Sequence, residues 1–265
     1  MKRFFAIIFV VSAICLIIIG LSGIKDDRTL KKQQLALQEE MQMVTEMEET
    51  NVPESDSEPV MLAEYKVLYD QNKDLVGWLR IEDTVIDYSV MQCLEDENYY
   101  LTHDFYKEEN KNGCLILDND SNAGIGTKEQ EYINGSKPST NLIIHGHTMK
   151  SGAMFGNLKL YQDKDYGLSH NIICFDSLYE KREYELIAVF YSQVFYKSDD
   201  VFKYYKFFQA DTQEEFDDWY NNIKEMSLYD TGVTAQLGDE FITLSCCAYH
   251  VEDGRFVVVG KRKYK

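Results

Sequence analysis

Positive charge is scarce in this sequence. Its 265 residues include 27 lysines and arginines against 45 aspartates and glutamates, which gives a formal net charge of -18. No basic stripe with interleaved aromatic side chains runs along the chain, so nucleic acid is not expected as a partner. The acidity itself does not identify a substrate, because an excess of carboxylates usually forms a solvated surface.

Cysteine is also scarce, and its spacing is irregular. Of the six cysteines, Cys15 lies in an apolar N-terminal run and five lie beyond it. An odd number without regular spacing argues against a disulfide framework and predicts at least one free thiol. Three of the five are predicted to be small buried apolar residues: Cys93, Cys114 and Cys174.

Charge is absent from residues 4–24, FFAIIFVVSAICLIIIGLSGI, a run of 21 residues. At about 1.5 Å per helical residue, this run is long enough to cross a hydrocarbon core of about 30 Å. Lys2 and Arg3 precede it, so the positive-inside bias predicts a cytoplasmic tip at 1–3, a single-pass anchor at 4–24 and the remainder outside. A cleaved signal peptide is the alternative, but the run exceeds the usual apolar region of about 7–15 residues.

The composition of the segment after this run predicts a spacer between the anchor and a folded domain. Residues 25–50 are rich in strong helix formers and predict a helical stalk. Residues 51–59 contain two of the three prolines and three acidic residues, a composition typical of a linker. A catalytic domain is therefore expected over residues 60–265.

The predicted domain consists of one leading helix followed by short strands. Apolar residues at helical spacing start at Leu62 and give way near Gly77 to alternating and β-branched runs. A later helix is predicted from an N-cap at Asp211 or Thr212 to Met226, inserted between two strands. The pattern is typical of a β-barrel or sandwich. The predicted strands are 84–90, 113–118, 141–147, 171–175, 182–195, 240–247 and 255–261.

Side-chain alternation along residues 240–247, EFITLSCC, separates two adjacent cysteines. On a strand, Leu244 and Cys246 share an apolar face, whereas Ser245 and Cys247 share the more polar face. Cys247 is therefore predicted to be the exposed thiol, and Cys246 its buried neighbour. A thiolate is a strong nucleophile when a nearby cation or imidazolium stabilises it. Spacing alone leaves open that both cysteines are structural.

Candidate partners for this thiol are two histidines and an arginine. His145 and His147 end the apolar strand NLIIHGH beside the loop TMKSG, a position that can face a cleft. Their spacing also puts both imidazoles on one face of a strand, as zinc requires. Arg255 opens the strand RFVVVGKR, which can pair with 240–247 as a hairpin and place a permanent charge beside the thiol. A solvated edge-strand charge is the alternative for this arginine.

Several stretches resemble the class B sortases. GHTMKSGAMFGNL at 146–158 is similar to their histidine motif, and TLSCC at 243–247 is similar to their TLxTC signature. Further stretches agree in the same order at 77–92, 97–106, 112–118 and 254–261. The resemblance covers residues 60–265 and implies a closed eight-stranded β-barrel with peripheral helices, anchored at its N-terminus in the membrane of a Gram-positive cell.

The resemblance also implies the site residues. The catalytic histidine, cysteine and arginine of the family fall on His147, Cys247 and Arg255, and Ser245 and Asn98 are candidate substrate-binding residues. The departures are Cys246 in place of the signature threonine, His145 where tyrosine is frequent, Ser89 in place of a common proline, and a short turn before Arg255. The adjacent thiols raise the prospect of oxidative inactivation, and the short turn leaves substrate preference open.

The implied function is that of a membrane-anchored cysteine transpeptidase without a cofactor or metal. It is expected to cleave an NPxTx-like C-terminal sorting signal of exported proteins through a thioester, and to join the product to an amine of the peptidoglycan cross-bridge or lipid II. A sortase that polymerises pilins is an alternative within the family. Outside it, the alternatives are a zinc-dependent hydrolase using His145, His147 and a cysteine or His250, and a non-catalytic membrane-tethered scaffold.

Overall fold

The computed structural model describes residues 2–48, 59–129, 132 and 136–264, with the side chains of residues 2–22, 47 and 48 left out. The described residues form four α-helices and eight strands. The helices are α1 (Lys2–Glu48), α2 (Ala63–Gln71), α3 (Lys164–Ser169) and α4 (Gln213–Met226). The strands are β1 (Leu75–Arg80), β2 (Asp87–Met91), β3 (Leu115–Leu117), β4 (Asn141–Gly146), β5 (Ile172–Ser177), β6 (Lys181–Gln193), β7 (Phe241–Cys247) and β8 (Gly254–Lys263).

The eight strands close into a barrel in the order β1-β2-β3-β4-β7-β8-β6-β5. This confirms the predicted closed barrel. Neighbouring strands are antiparallel except for two parallel pairs, β2 with β3 and β4 with β7. A parallel pair requires a long crossover connection, and for β4 and β7 that connection contains two further strands and α4. The ends of β4 and β7 consequently lie side by side at one end of the barrel.

The strand β1 was missed among the predicted strands. Its sequence, LVGWLR, follows a helix and contains Gly77, which weakens a strand pattern. The structure explains the glycine, because an added Cβ would lie 2.4 Å from the carbonyl oxygen of Asp176 on the neighbouring β5. Gly77 therefore allows a close approach of two strands rather than ending one.

The strand β7 is buried on both faces. Ile242, Leu244 and Cys246 belong to the core inside the barrel. Phe241, on the opposite face, packs beneath α4, where the Trp219 ring lies 4.6 Å from its ring centroid. The predicted alternation along this strand is therefore confirmed, with the addition of a helix that covers its outer face.

The helix α4 begins at a capping box. The Thr212 hydroxyl accepts the N–H of Glu215, and the Glu215 carboxylate accepts the N–H of Thr212 in return. These bonds satisfy backbone donors that the first turn leaves without helical partners. Of the two predicted N-caps, Thr212 is the one observed.

The helix α1 continues from the predicted anchor into the predicted stalk, and its second half packs on the barrel. Leu37 is buried there, and Gln33 and Gln38 donate hydrogen bonds to Asp104 and Asp87. The few apolar residues of this segment gave no indication of this packing.

Within the described part of the chain, no helix is both long enough and apolar enough to cross a membrane. The span predicted at residues 4–24 therefore has no support from the structure. The side chains of residues 4–22, and most of the linker predicted at 51–59, lie outside the described residues.

Candidate active site

A cleft of about 430 Å³ opens at the end of the barrel where β4 and β7 end and β8 begins. All five site residues predicted from the sequence line it: Asn98, His147, Ser245, Cys247 and Arg255. They come from three strand ends and from the segment that precedes a short 3₁₀ helix at Tyr99–Leu101. The cleft is therefore the candidate active site.

Strand register places the thiol between the histidine and the arginine. Cys247 is the last residue of β7 and pairs with Arg255 of β8. On the other side, Gly146 of β4 pairs with Cys246, so His147 emerges beside the end of β7. The Thr148 hydroxyl donates a 2.6 Å hydrogen bond to the carbonyl oxygen of Cys247 and fixes this arrangement.

The two adjacent cysteines differ in environment, as predicted. Cys246 is 3% exposed inside the barrel, whereas Cys247 is half-buried in the cleft. Burial raises the pKa of the Cys246 thiol to about 11, although Thr148 and Arg255 act in the opposite direction. Successive strand residues point to opposite faces, so a disulfide between the two would require local disruption of β7.

The imidazole of His147 is held by a backbone carbonyl. Its Nε2 atom lies 2.8 Å from the oxygen of Leu101, and because a carbonyl only accepts, Nε2 carries the hydrogen. The Nδ1 atom is then the one available for proton exchange. The backbone of His147 is fixed as well, since its carbonyl accepts the N–H of Phe155 at 3.0 Å.

Gly146 allows the His147 loop to fold tightly. An added Cβ at this position would lie 2.6 Å from side-chain atoms of both Leu115 and Phe155. Glycine is thus required by packing at the point where β4 enters the loop.

Arg255 is half-buried at the start of β8. One guanidinium nitrogen, Nη1, donates to the carbonyl oxygens of Asp253 at 3.1 Å and Gly254 at 3.0 Å. These bonds hold the positive charge beside the cleft, one strand away from Cys247. A guanidinium so placed can stabilise the oxyanion that forms on a carbonyl oxygen when the thiolate attacks the carbonyl carbon.

The cleft also contains polar residues that the sequence did not reveal. The Tyr204 hydroxyl lies 2.7 Å from Ser245 Oγ, so the hydroxyl of this buried serine is already paired. Nε2 of His145 lies 3.0 Å from Asp118 Oδ2. These pairs join residues far apart in the chain, and only tertiary structure brings them together.

Asp118 is a charged group in the cleft. Burial tends to raise the pKa of its carboxyl, but hydrogen bonds from His145 and from the N–H of Asp120, with the charge of Lys206, outweigh burial and lower it. His145 is thus engaged with a carboxylate. Among the described residues, no group of three or more His, Cys, Asp or Glu side chains is arranged to hold a metal ion.

The chain is similar to curated sortases in sequence. It is 34% identical over 200 residues to Sortase B of Listeria monocytogenes, which covers 75% of this chain and 73% of the relative. It is 25% identical over 266 residues to Sortase B of Staphylococcus aureus, which covers 98% of this chain and 97% of the relative. No protein-family model matches the chain.

The fold is similar to solved sortase structures. A Staphylococcus aureus sortase B–substrate complex matches with a TM-score of 0.72 and 23% identity, over 90% of this chain and 98% of that chain. A Bacillus anthracis sortase B in complex with AAEK1 matches with a TM-score of 0.69 and 26% identity, over 91% and 100%. The barrel fold and the similarity to sortases together identify this chain as a sortase, which is a cysteine transpeptidase. With 34% identity over most of the Listeria relative, the chain belongs to the sortase B family.

Proposed function

We propose that Cys247, His147 and Arg255 perform the transpeptidation. The observation that carries this proposal is the register of three adjacent strands, in which the thiol pairs with Arg255 on one side and neighbours His147 on the other. The Cys247 thiolate attacks a peptide carbonyl, and Arg255 stabilises the oxyanion, giving a thioester. His147 protonates the departing amine and then removes a proton from the incoming amine.

The proposed substrate is the NPxTx-like C-terminal sorting signal of exported proteins. Similarity to sortase B of Staphylococcus aureus, which was solved with a substrate, supports a peptide in the cleft. Asn98 at the rim and Ser245 at the floor are proposed to contact it. The proposed acceptor is an amine of the peptidoglycan cross-bridge or of lipid II, so that the product is anchored in the cell wall.

We further propose that residues 4–24 anchor the enzyme in the membrane with the catalytic domain outside. The support is the uncharged run of 21 residues, which Lys2 and Arg3 precede. Protease treatment of intact cells is expected to digest the barrel, and a barrel that stays protected until the cells are lysed would contradict the orientation.

The catalytic assignment is tested with an NPxTx-like peptide, an amine acceptor and mass spectrometry of the products. Cys247→Ala is expected to lower transpeptidation at least about a thousandfold, because no other group replaces the nucleophile. Cys246→Ala is the matched control and is expected to retain activity, since Cys246 faces the barrel interior. Transpeptidation that survives in Cys247→Ala would refute the assignment.

A further inference from the structure

The two segments that hold His147 both contact α1. One is the segment at 99–114, which supplies the Leu101 carbonyl, and the other is the His147 loop at 147–157. We propose that α1 positions the catalytic histidine, with Gln33 and Leu30 as the positioning residues. This inference rests on the proposed function, since it takes His147 as the acid and base of the reaction.

Gln33 bonds to the segment that carries the Leu101 carbonyl. Its Nε2 atom donates a 2.7 Å hydrogen bond to Asp104 Oδ2. Asp104 is only 2% exposed, and its other oxygen accepts the N–H groups of Tyr106 and Glu108 at 2.9 and 3.1 Å. Asp104 therefore organises the turn that follows Leu101, and Gln33 attaches α1 to the centre of that turn.

Leu30 lies beside the His147 loop, since it lines the same small cavity as Met154. It belongs to the same core cluster as Met154, which is 1% exposed and forms an isolated β-bridge with Thr148 next to His147. Met154 has a φ of 53°, a left-handed conformation that a residue other than glycine adopts only when its surroundings hold it there. Burial of its side chain near Leu30 supplies such support.

A small cavity marks the point where the three parts meet. Leu30 and Gln33 of α1, Asp104 and Cys114 of the first segment, and Met154 of the loop all line one space of about 20 Å³. The cavity is too small for a substrate. It shares no lining residue with the cleft, so a substitution at this junction is expected to act on the cleft through the two supports of the imidazole.

Catalysis is more sensitive than folding to such a change. A displacement of about 1 Å at a catalytic group can lower a rate by as much as about a hundredfold. The same helix supplies a matched control, because Gln38 donates a 2.6 Å hydrogen bond to Asp87 on β2. Asp87 also accepts a hydrogen bond from Trp78 of β1, so Gln38 attaches α1 to the β1–β2 part of the sheet. Gln33 and Gln38 thus make equivalent bonds to different parts of the barrel.

The experiment compares Gln33→Met, Leu30→Ala and Gln38→Met in the full-length chain. Steady-state transpeptidation gives kcat and KM, and thermal unfolding gives the melting temperature. Gln33→Met and Leu30→Ala are expected to lower kcat about tenfold with KM changed less than about twofold. Gln38→Met is expected to keep the parent kcat despite a similar loss of melting temperature, and Leu30→Met to restore the kcat lost in Leu30→Ala.

The possible results separate the two proposals. An unchanged kcat in Gln33→Met, or an equal loss in Gln38→Met, overturns the positioning role of α1 even when His147→Ala is inactive. Full activity of His147→Ala instead refutes the proposed catalytic role on which the inference rests. If Leu30→Ala does not fold, the comparison of Gln33→Met with Gln38→Met decides, since both keep the side-chain volume nearly constant.

Discussion

The two adjacent cysteines at the end of β7, Cys246 and Cys247, are expected to differ in reactivity. The Cys246 thiol lies among apolar side chains inside the barrel, where a charged thiolate is poorly solvated. The Cys247 thiol opens into the cleft beside Arg255. One strand thus contains a buried and an accessible cysteine, because successive side chains point to opposite faces of the sheet.

This difference predicts selective alkylation. With a pKa of about 11, Cys246 is roughly one-thousandth thiolate at about pH 8, and the barrel also shields it. Iodoacetamide is expected to modify Cys247 in the native protein and Cys246 only after unfolding, as measured by peptide mapping. Cys247→Ala provides the control, because its native cleft should remain unlabelled. Equal labelling of both native thiols would contradict the buried assignment of Cys246.

At the scale of elements, α4 is the helix that seals the outer face of β7. Its residue Trp219 stacks on Phe207 at 4.3 Å and meets Phe241 of β7 edge-on. The capping box at Thr212 sets where this helix begins. The stability of α4 is therefore linked to that of the strand that ends in Cys247.

Removing the cap of α4 is expected to destabilise the domain modestly. Thr212→Ala leaves the N–H of Glu215 without its acceptor, which costs about 1 kcal/mol of unfolding free energy. Urea denaturation measures the loss, and Thr212→Ser, which keeps the hydroxyl, is expected to lose less than half as much. A loss in Thr212→Ser equal to that in Thr212→Ala would mean that the hydroxyl is not the stabilising group.

The elements also differ in how far the sequence predicts them. The strand β7 was predictable because its two faces differ in polarity, and α4 because an N-cap precedes an apolar stripe. The strand β1 was not, since Gly77 serves a contact with β5 that only the folded sheet defines. The packing of α1 was missed for a related reason, because glutamines rather than apolar residues make much of the contact.

Strand alternation and the family motifs predicted five residues that the structure brings together in one cleft. The residues that support them were not predictable. A backbone carbonyl such as that of Leu101 has no sequence signature, and Tyr204 reaches Ser245 from a segment 41 residues away. The sequence therefore predicted which residues meet in the cleft, whereas the contacts that support them depend on tertiary structure.

At the scale of the whole molecule, a buried ionic network closes the end of the barrel opposite the cleft. Glu180 accepts hydrogen bonds from Arg182 and Arg262, and Arg262 also donates to Glu240. The two arginines are almost completely buried. Burial tends to raise the pKa of Glu180, but the charges of Arg182 and Arg262 outweigh it and lower the pKa.

The network predicts a loss of stability in acid. Because the pKa of Glu180 is lower in the folded chain than its unfolded value of about 4.3, its stabilisation is complete above that pH and is lost as the pH falls through the folded pKa. Glu180→Gln leaves two buried arginines short of a counter-charge and is expected to cost about 3 kcal/mol near pH 7.

Urea denaturation at several pH values tests this expectation. The difference in unfolding free energy between the parent and Glu180→Gln is expected to shrink as the pH falls below about 4. Glu183→Gln is the control, because Glu183 is partly exposed and pairs only loosely with Lys263 at 3.9 Å. A difference that stays constant across the acid range would show that the charge of Glu180 is not what stabilises the barrel.

The parallel pairing of β4 with β7 determines when, during folding, the Cys247 thiol and the His147 imidazole come together. Six residue pairs join the two strands, although about a hundred residues of chain separate them. The entropy of closing so long a loop must be overcome before the ladder can form, which slows folding. Peripheral hairpins such as β5–β6 can form early, but recovery of enzymatic activity after dilution from denaturant is expected to wait for β7 to insert between β4 and β8.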